Sequence, residues 1–460
     1  MTTSIGKKIR RTAALSVAAV LAFSGCALTG SSSEAEGNNA GTIDYWLWDT
    51  GQLPGYQQCA NLFEEKTGKK VTITQYGWDD YWQKLTAGFI ADQGPDVFTD
   101  HVAKYPQYVD LEVIMPLNEL EATKNVDTSA FQGGLTDIWT GPDGNLYGMP
   151  KDWDTIAAFY NKDMIREAGY SDEDLASWDF NTMDGGTFEQ IVAHLTIDKN
   201  GVRGDEPGFD KNNVAVYGLG ISESGGSTFG QGQWSGFAAA NDWQITNKPT
   251  WGDRYNFDDP ALSETLEWYF GLVDKGYMPA YGVFSQADGA APQLTSGAAA
   301  ITFNGAWMIS TYAKADFEVG TAKFPTNTDT GLNMTMMNGL ADSISKNTDD
   351  PEGSAEWVAF MATAECQNYI GGEGVVFPSR TEATEIAAQT YSEMGIDTWA
   401  FTEPVEEQDV FFFPITSFGA DISALSVVAF EEIYANRKPA APELEELNSS
   451  INNMFENSSK

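Results

Sequence analysis

Between residues 42 and 125 the chain alternates extended and helical patterns, and this alternation restricts the fold more than any other feature of the sequence. Thr42–Trp48 (TIDYWLW) is rich in β-branched and aromatic residues, as strands are. Gly55–Thr67 repeats apolar residues at helical spacing, at Tyr56, Ala60 and Phe63, and stops at Gly68. Val71–Tyr76 (VTITQY) alternates as a strand, Asp79–Ile90 reads as a helix, and Asp96–Thr99 (DVFT) reads as a short buried strand. A βαβαβ order predicts an α/β fold, with a mostly parallel sheet covered by helices on both faces. Ligands of such sheets sit outside the carboxyl ends of the strands. The polar and aromatic residues just after each strand are therefore candidates: Trp48-Asp49-Thr50, Tyr76-Gly77-Trp78-Asp79 and Asp100-His101.

Farther along, residues 155–325 mix helices with loops rich in Gly, Asn and Trp; Thr187–Leu195 and Leu262–Leu272 are the clearest helices there. Asp350-Pro351-Glu352 starts another helix that runs through Phe360, and Ile422–Asn436 is helical in pattern. The tail from Ser449 is polar and is expected to fray. No fixed-period repeat is visible, which argues against solenoids and propellers. A length of 460 residues suggests two or three domains. The formal net charge of −40 excludes a nucleic-acid binder, because displacing counterions from phosphates needs a basic surface. It also argues against docking on anionic lipid through the folded surface. A hydrophobic content of 42% is too high for a disordered chain.

At the N-terminus, Lys7, Lys8, Arg10 and Arg11 precede a short apolar run, Ala13–Phe23. The run is too short to span a bilayer and reads as an export signal. Ser24-Gly25-Cys26 at its end looks like a bacterial lipobox, with Phe23 where such motifs usually carry Leu. By that resemblance Cys26 is lipidated after removal of residues 1–25; the plainer reading is an ordinary signal peptide with an incidental cysteine. Residues 30–41 (GSSSEAEGNNAG) then form a flexible tether. Of the three cysteines this leaves Cys59 and Cys366, and outside the cell a disulfide between them is permitted and expected.

Several segments resemble the sugar-binding, maltose-binding-like family of extracellular solute-binding proteins of ABC transporters. They are Ala91–Phe98 (ADQGPDVF), Tyr147-Gly148-Met149-Pro150, Phe159–Asp163 with Ala168-Gly169, Ser296–Ala300, and Asn304-Gly305-Ala306-Trp307. Asn338-Gly339, Ile344-Ser345-Lys346, Ala355-Glu356-Trp357 and Gln367 follow. Each is weak alone; the ordered set spans nearly the whole chain. The lipobox fits the Gram-positive form of the family, and Leu47-Trp48-Asp49-Thr50 with Cys59 is similar to actinobacterial sugar-binding lipoproteins. The resemblance implies two α/β lobes joined by a hinge of crossing segments near 151–155, 335–338 and 371–378. Residues 42–152 with 335–372 would form the N-terminal lobe, and 153–334 with 373–460 the C-terminal lobe. It further implies a sugar, expected to be an oligosaccharide, bound between the lobes. The closed form, a monomer held on the outer face of the cell membrane by its lipid, would then dock on a permease served by a separate ATPase. No cofactor is implied.

Sugar rings offer C–H faces to flat aromatics and hydroxyls to carboxylates, amides and Arg. The candidates are Trp48, Asp49, Trp78, Asp79 and Asp100 in the first lobe and Asp152, Trp153 and Asp154 at the first crossing. Gln233, Trp234, Trp243 and Trp307 represent the second lobe, and Glu373 and Arg380 the third crossing. Trp46, Trp82, Trp268 and Trp357 read as packing, Asp79 equally as a helix cap, and Asp96 and Asp163 as fold-bearing. His101 and His194 are too far apart in the chain to suggest a metal site. Asp198–Asp210 (DKNGVRGDEPGFD) faintly suggests a calcium loop, but its spacing fails and a solvated loop is the default. No phosphate loop, strand-linked dinucleotide fingerprint or H-E-x-x-H is present. Two alternatives stay open: the same fold holding a peptide, polyamine or metal complex, and an exported glycoside hydrolase using two carboxylates.

Overall fold

The computed structural model describes residues 41–221, 229–284 and 289–458. The export signal, Cys26, nearly all of the tether and most of the 222–234 loop lie outside the described residues. The strands are β1 Thr42–Leu47, β2 Lys70–Gln75, β3 Val97–His101, β4 Met149–Asn161, β5 Asp179–Phe180, β6 Ile197–Asp198 and β7 Val214–Leu219. They continue with β8 Ala299–Gly305, β9 Val319–Ala322, β10 Thr326–Asn327, β11 Thr335–Ile344, β12 Phe377–Pro378 and β13 Val410–Phe412. The main sheet runs β2-β1-β3-β11-β4-β8-β7-β6, with β9 and β12 also pairing β4 and β13 pairing β11. β5 and β10 form a small separate pair.

The opening βαβαβ unit is present. β1 pairs parallel with both β2 and β3. The helix Leu53–Thr67 buries Tyr56, Cys59, Ala60 and Phe63. It ends at Gly68, whose φ of 74° lets the chain turn back while its N–H satisfies the Glu64 carbonyl. The helix Trp78–Ala91 buries Tyr81, Trp82, Leu85 and Gly88 at helical spacing. Cys59 and Cys366 are joined by a disulfide that ties this first helix to the helix Ala364–Glu373, 307 residues later. Around it pack Tyr45, Phe63 and the fully buried Trp357.

Two long strands belong to both halves of the sheet. β4 pairs with β11 over Met149–Thr155 and with β8 and β9 over Ile156–Asn161. β11 pairs with β3 over Leu340–Ile344 and with β13 over Thr335–Met337. In β4, Lys151 is an extra residue opposite the Leu340–Ala341 step. This bulge lets Lys151 and Asp152 share one buried site, with Nζ 3.2 Å from the Asp152 carboxylate, bonded to the Gln52 amide oxygen and 4.3 Å from the centre of the Tyr56 ring.

Two expectations fail: beyond the opening unit the main sheet is mixed and not mostly parallel, since β11 runs antiparallel to β3 and β4, and β4 antiparallel to β8, β9 and β12, and the C-terminus does not fray. Ala440–Ser458 is a helix, not a frayed tail. Its apolar residues Leu444, Leu447, Ile451 and Phe455 lie on one stripe against the core of the second half. Its asparagines are structural: Asn452 exchanges hydrogen bonds with the Tyr255 backbone, and Asn448 accepts from the Phe257 N–H.

Candidate functional site

The register of the two long strands creates a gap between strand ends. β3 ends at His101, opposite Leu340 and hence Asp152. β8 ends at Gly305, opposite Ile156. The carboxyl ends of strands from the two halves therefore face one another across Trp153–Thr155 of β4 and Met337–Gly339 of β11, which is where an open α/β sheet takes its ligand. Asp154 and Asn338 are directly paired on that floor, and the Asn338 amide nitrogen donates to the Asp154 carboxyl at 2.8 Å. The other amide atom, Asn338 Oδ1, is buried and has no hydrogen-bond partner among the described residues. Burial and, less strongly, Asp152 push the Asp154 carboxyl up to about 8 despite the Asn338 bond.

Aromatic rings wall this floor. Trp48, just after β1, packs edge-on to Trp78 at 5.2 Å and lies 5.2 Å from Trp82. Gln75 fixes the backbone there by donating to the Trp48 carbonyl at 2.8 Å. Trp78 starts its helix, remains 42% exposed and sits 5.8 Å from the His101 ring. His101 in turn meets Phe413, one residue beyond β13, at 6.1 Å, and Phe413 meets Phe229 at 5.3 Å. Trp307, two residues beyond β8, folds over Gly305 and is 37% exposed. His101 Nδ1 accepts the Ala103 N–H at 3.1 Å, and burial with the nearby Lys104 presses its pKa down to about 3, so the ring is neutral.

Of the residues marked in the sequence, Trp48, Trp78 and Asp154 gather here, with Trp307 in the short helical turn that follows β8. Asp49 lies at the same strand end but accepts the Gly51 N–H at 2.7 Å, closing the turn into the first helix. Asp79 is exposed in the first turn of its helix, where the dipole favours a carboxylate, and the N-cap position itself is Gly77.

The other candidates are placed elsewhere by packing. Trp234 is fully buried and stacks on Phe430 at 5.0 Å. Trp243 is buried and donates its indole N–H to the Asn256 carbonyl at 2.9 Å. Gln233, beside Trp234, is buried as well. Trp153 alternates to the opposite face from Asp154, stacks on Phe377 at 4.9 Å and donates to Thr384 at 3.1 Å. Asp100 is fully buried, accepting from the His101 N–H and the Ser343 hydroxyl, and burial holds its carboxyl well above the usual range. Asp152 belongs to the Lys151 site. Arg380 binds the Ala362 carbonyl at 3.2 Å, and Glu373 is exposed at the end of its helix.

His101 was marked in the sequence only as a residue following a strand, and Asn338 and Phe413 were not marked for binding at all. The run Phe411-Phe412-Phe413 was the signal for the last of these. The acidic loop is closed on itself: Asp198 accepts backbone N–H groups from Asn200, Val202 and Asp210, which hold its carboxyl below the usual range. Among the described residues, no group of three or more His, Cys, Asp or Glu is arranged to hold a metal ion. Nor is any helix among them long and apolar enough to cross a membrane.

The profile of bacterial extracellular solute-binding proteins matches residues 58–396. The chain is 24% identical over 347 residues to a maltooligosaccharide ABC transporter solute-binding lipoprotein of Streptococcus pneumoniae, covering 74% of this chain and 72% of that one. Its fold is shared with an ABC substrate-binding protein from Listeria monocytogenes solved with cycloalternan, at a TM-score of 0.74 and 20% identity over 90% of this chain and 98% of that one. It is equally shared with UgpB from Mycobacterium tuberculosis solved with glycerophosphocholine, at a TM-score of 0.73 and 16% identity over 92% of this chain and all of that one. These likenesses fix the architecture as the two-lobe, maltose-binding-like one. The chain belongs to the bacterial extracellular solute-binding protein family.

Proposed function

We propose that this chain is a non-enzymatic receptor that binds an oligosaccharide between its lobes and delivers it to a membrane permease driven by a separate ATPase. The observation that carries this reading is the chemistry facing the gap. Flat rings, Trp48, Trp78, Trp307 and Phe413, surround hydrogen-bonding groups that carry no charge near neutral pH: the His101 imidazole, the Asn338 amide and the Asp154 carboxyl. Such a surface suits an uncharged polyol with C–H faces. A polyamine would want ionised carboxylates, and a phosphodiester would want cations. The lobes run as 42–152 with 335–372 and 153–334 with 373–460. Lipid on Cys26 would hold the receptor, as a monomer, at the outer face of the membrane.

The sugar favours closure because it touches both lobes at once only when they are close, and the shift equals its difference in affinity for the two states. Trp251 illustrates how the lobes meet. Carried by the loop before the helix Pro260–Lys275, it packs on Tyr105 at 5.7 Å and donates its indole N–H to the Thr140 carbonyl at 2.8 Å.

Calorimetric titration of the chain lacking residues 1–26 tests the reading, using a panel of oligosaccharides with peptides, polyamines and glycerophosphocholine as controls. Saturable micromolar or tighter heat from one sugar series, with the sugar recovered intact after long incubation, is the expected result. Heat from a control alone would discard the carbohydrate assignment, and cleaved sugar would discard the receptor.

A further inference from the structure

His101 occupies the position in the cleft where rings from both sides come together. Trp48 and Trp78 approach it from the first lobe, at 6.4 and 5.8 Å, and Phe413 from the far side of the floor at 6.1 Å. The imidazole is partly exposed. Its two nitrogens are chemically distinct here. Nδ1 accepts a backbone N–H, from Ala103 at 3.1 Å, and a nitrogen that accepts a hydrogen bond carries no proton. A neutral ring must then carry its proton on Nε2. The neighbouring charges are Lys104, whose ammonium lies 5.7 Å from the centre of the Trp82 ring, and Asp100, whose oxygens are engaged by the His101 N–H and Ser343. Among the described residues, no carboxylate is hydrogen-bonded to the imidazole. The backbone thus sets the tautomer, and the side chain presents a single donor of fixed direction among aromatic faces.

We propose that His101 is a specificity-determining residue of this cleft, its Nε2–H donating to a hydroxyl or ring oxygen of a sugar unit held among Trp48, Trp78 and Phe413. The assignment rests on the carbohydrate reading above and adds the polarity of one contact. This position gives a hydrogen bond and cannot accept one. A site built around such a donor discriminates against ligands that lack the matching acceptor, because the N–H is then covered by the ligand and left unpaired.

Two substitutions and one spectrum test it. His101→Phe keeps a flat ring and removes the donor; His101→Gln places an amide N–H close to where Nε2 lies. In titrations with a panel of malto-, galacto- and chito-oligosaccharides, His101→Phe weakens binding at least tenfold, about 1.4 kcal/mol. His101→Gln recovers part of that loss, and melting temperatures confirm that both variants fold. The chain has two histidines, so a long-range proton–nitrogen spectrum of the imidazoles is simple to assign, with His194 as an internal reference. The expected spectrum shows His101 protonated on Nε2, and sugar shifts that signal while His194 stays in place. Unchanged affinity in His101→Phe, a proton on Nδ1, or an Nε2 signal unmoved at saturation would overturn the proposal while leaving the receptor reading intact. Absence of binding by the unsubstituted chain to every sugar would remove both.

Discussion

Both lobes bury tryptophan, Trp46, Trp82, Trp139 and Trp357 in the first among them, and they differ in which tryptophans they leave open. In the first, Trp48 and Trp78 follow strand ends and remain open to the cleft, and the sheet behind them is backed by a disulfide. In the second, Trp178, Trp234, Trp243 and Trp268 are buried in one aromatic core with Phe188, Phe237 and Phe303. Trp307, two residues beyond the end of β8, lies outside that core and is 37% exposed. What separates the two sets is position relative to the end of a strand, since adjacency to polar residues marks both. A tryptophan count therefore reports how aromatic the chain is and not how it binds.

Removing a ring from each set breaks the comparison most sharply. Trp234→Ala empties a fully buried site stacked on Phe430 and is expected to cost about 3–5 kcal/mol of stability. The fraction that stays folded binds sugar with unchanged affinity. Chemical unfolding paired with calorimetry checks both halves of that statement; a stable variant with weakened binding would return Trp234 to the site. Next in size, replacing Cys59 and Cys366 together by Ser opens a link between residues 307 apart and is expected to cost about 2–4 kcal/mol. Hydrogen exchange should show the loss in the helices Leu53–Thr67 and Ala364–Glu373 first, with the second lobe protected as before.

The sequence made the opening βαβαβ unit legible because each element there has a clean period and a terminator, as Gly68 illustrates. It made the strand-end candidates legible for the same reason. The C-terminal helix was obscured because its apolar residues Leu444, Leu447, Ile451 and Phe455 are diluted by Asn, Ser and Glu. The asparagines that look like solvated tail are in fact hydrogen-bonded to the 255–257 backbone. The floor of the site was the least legible part. Asn338 meets Asp154 only through the register of β11 on β4, and Phe413 arrives beside it only because β13 pairs with β11. Such neighbours are set by topology across more than 180 residues in the first case, and no local pattern encodes them.

A smaller effect is expected where rings are open. Trp78→Ala and Trp307→Ala each remove a ring that is more than a third exposed, so stability should change by less than about 1 kcal/mol. Each should weaken sugar binding at least tenfold, about 1.4 kcal/mol. Equal losses from the two would mean that the ligand is gripped from both lobes. A loss from Trp78→Ala alone would confine the contact to the first lobe and contradict closure driven by shared contacts.

The last prediction concerns one buried carboxyl on each of the two long strands, β4 and β11. Asp154 is held at about 8 and Asp342, bonded to the Tyr45 hydroxyl, at about 7, in both cases chiefly by burial. Their unfolded values lie near 4. Between pH 4 and these folded values the folded chain keeps protons that the unfolded chain has released, so stability must fall as pH rises through that window and level off above it. Asp154→Asn cannot ionise, and its amide can still bond Asn338. It should therefore flatten the fall by up to about 1.4 kcal/mol per pH unit below pH 7, and by about 1 kcal/mol between pH 7 and 8, where Asp342 has largely titrated. Urea unfolding at a series of pH values checks this. An unaltered slope would mean that water reaches the Asp154 carboxyl and lets it ionise near its ordinary value, and the floor between the lobes would then present a charge to the ligand instead of a neutral hydrogen-bonding group.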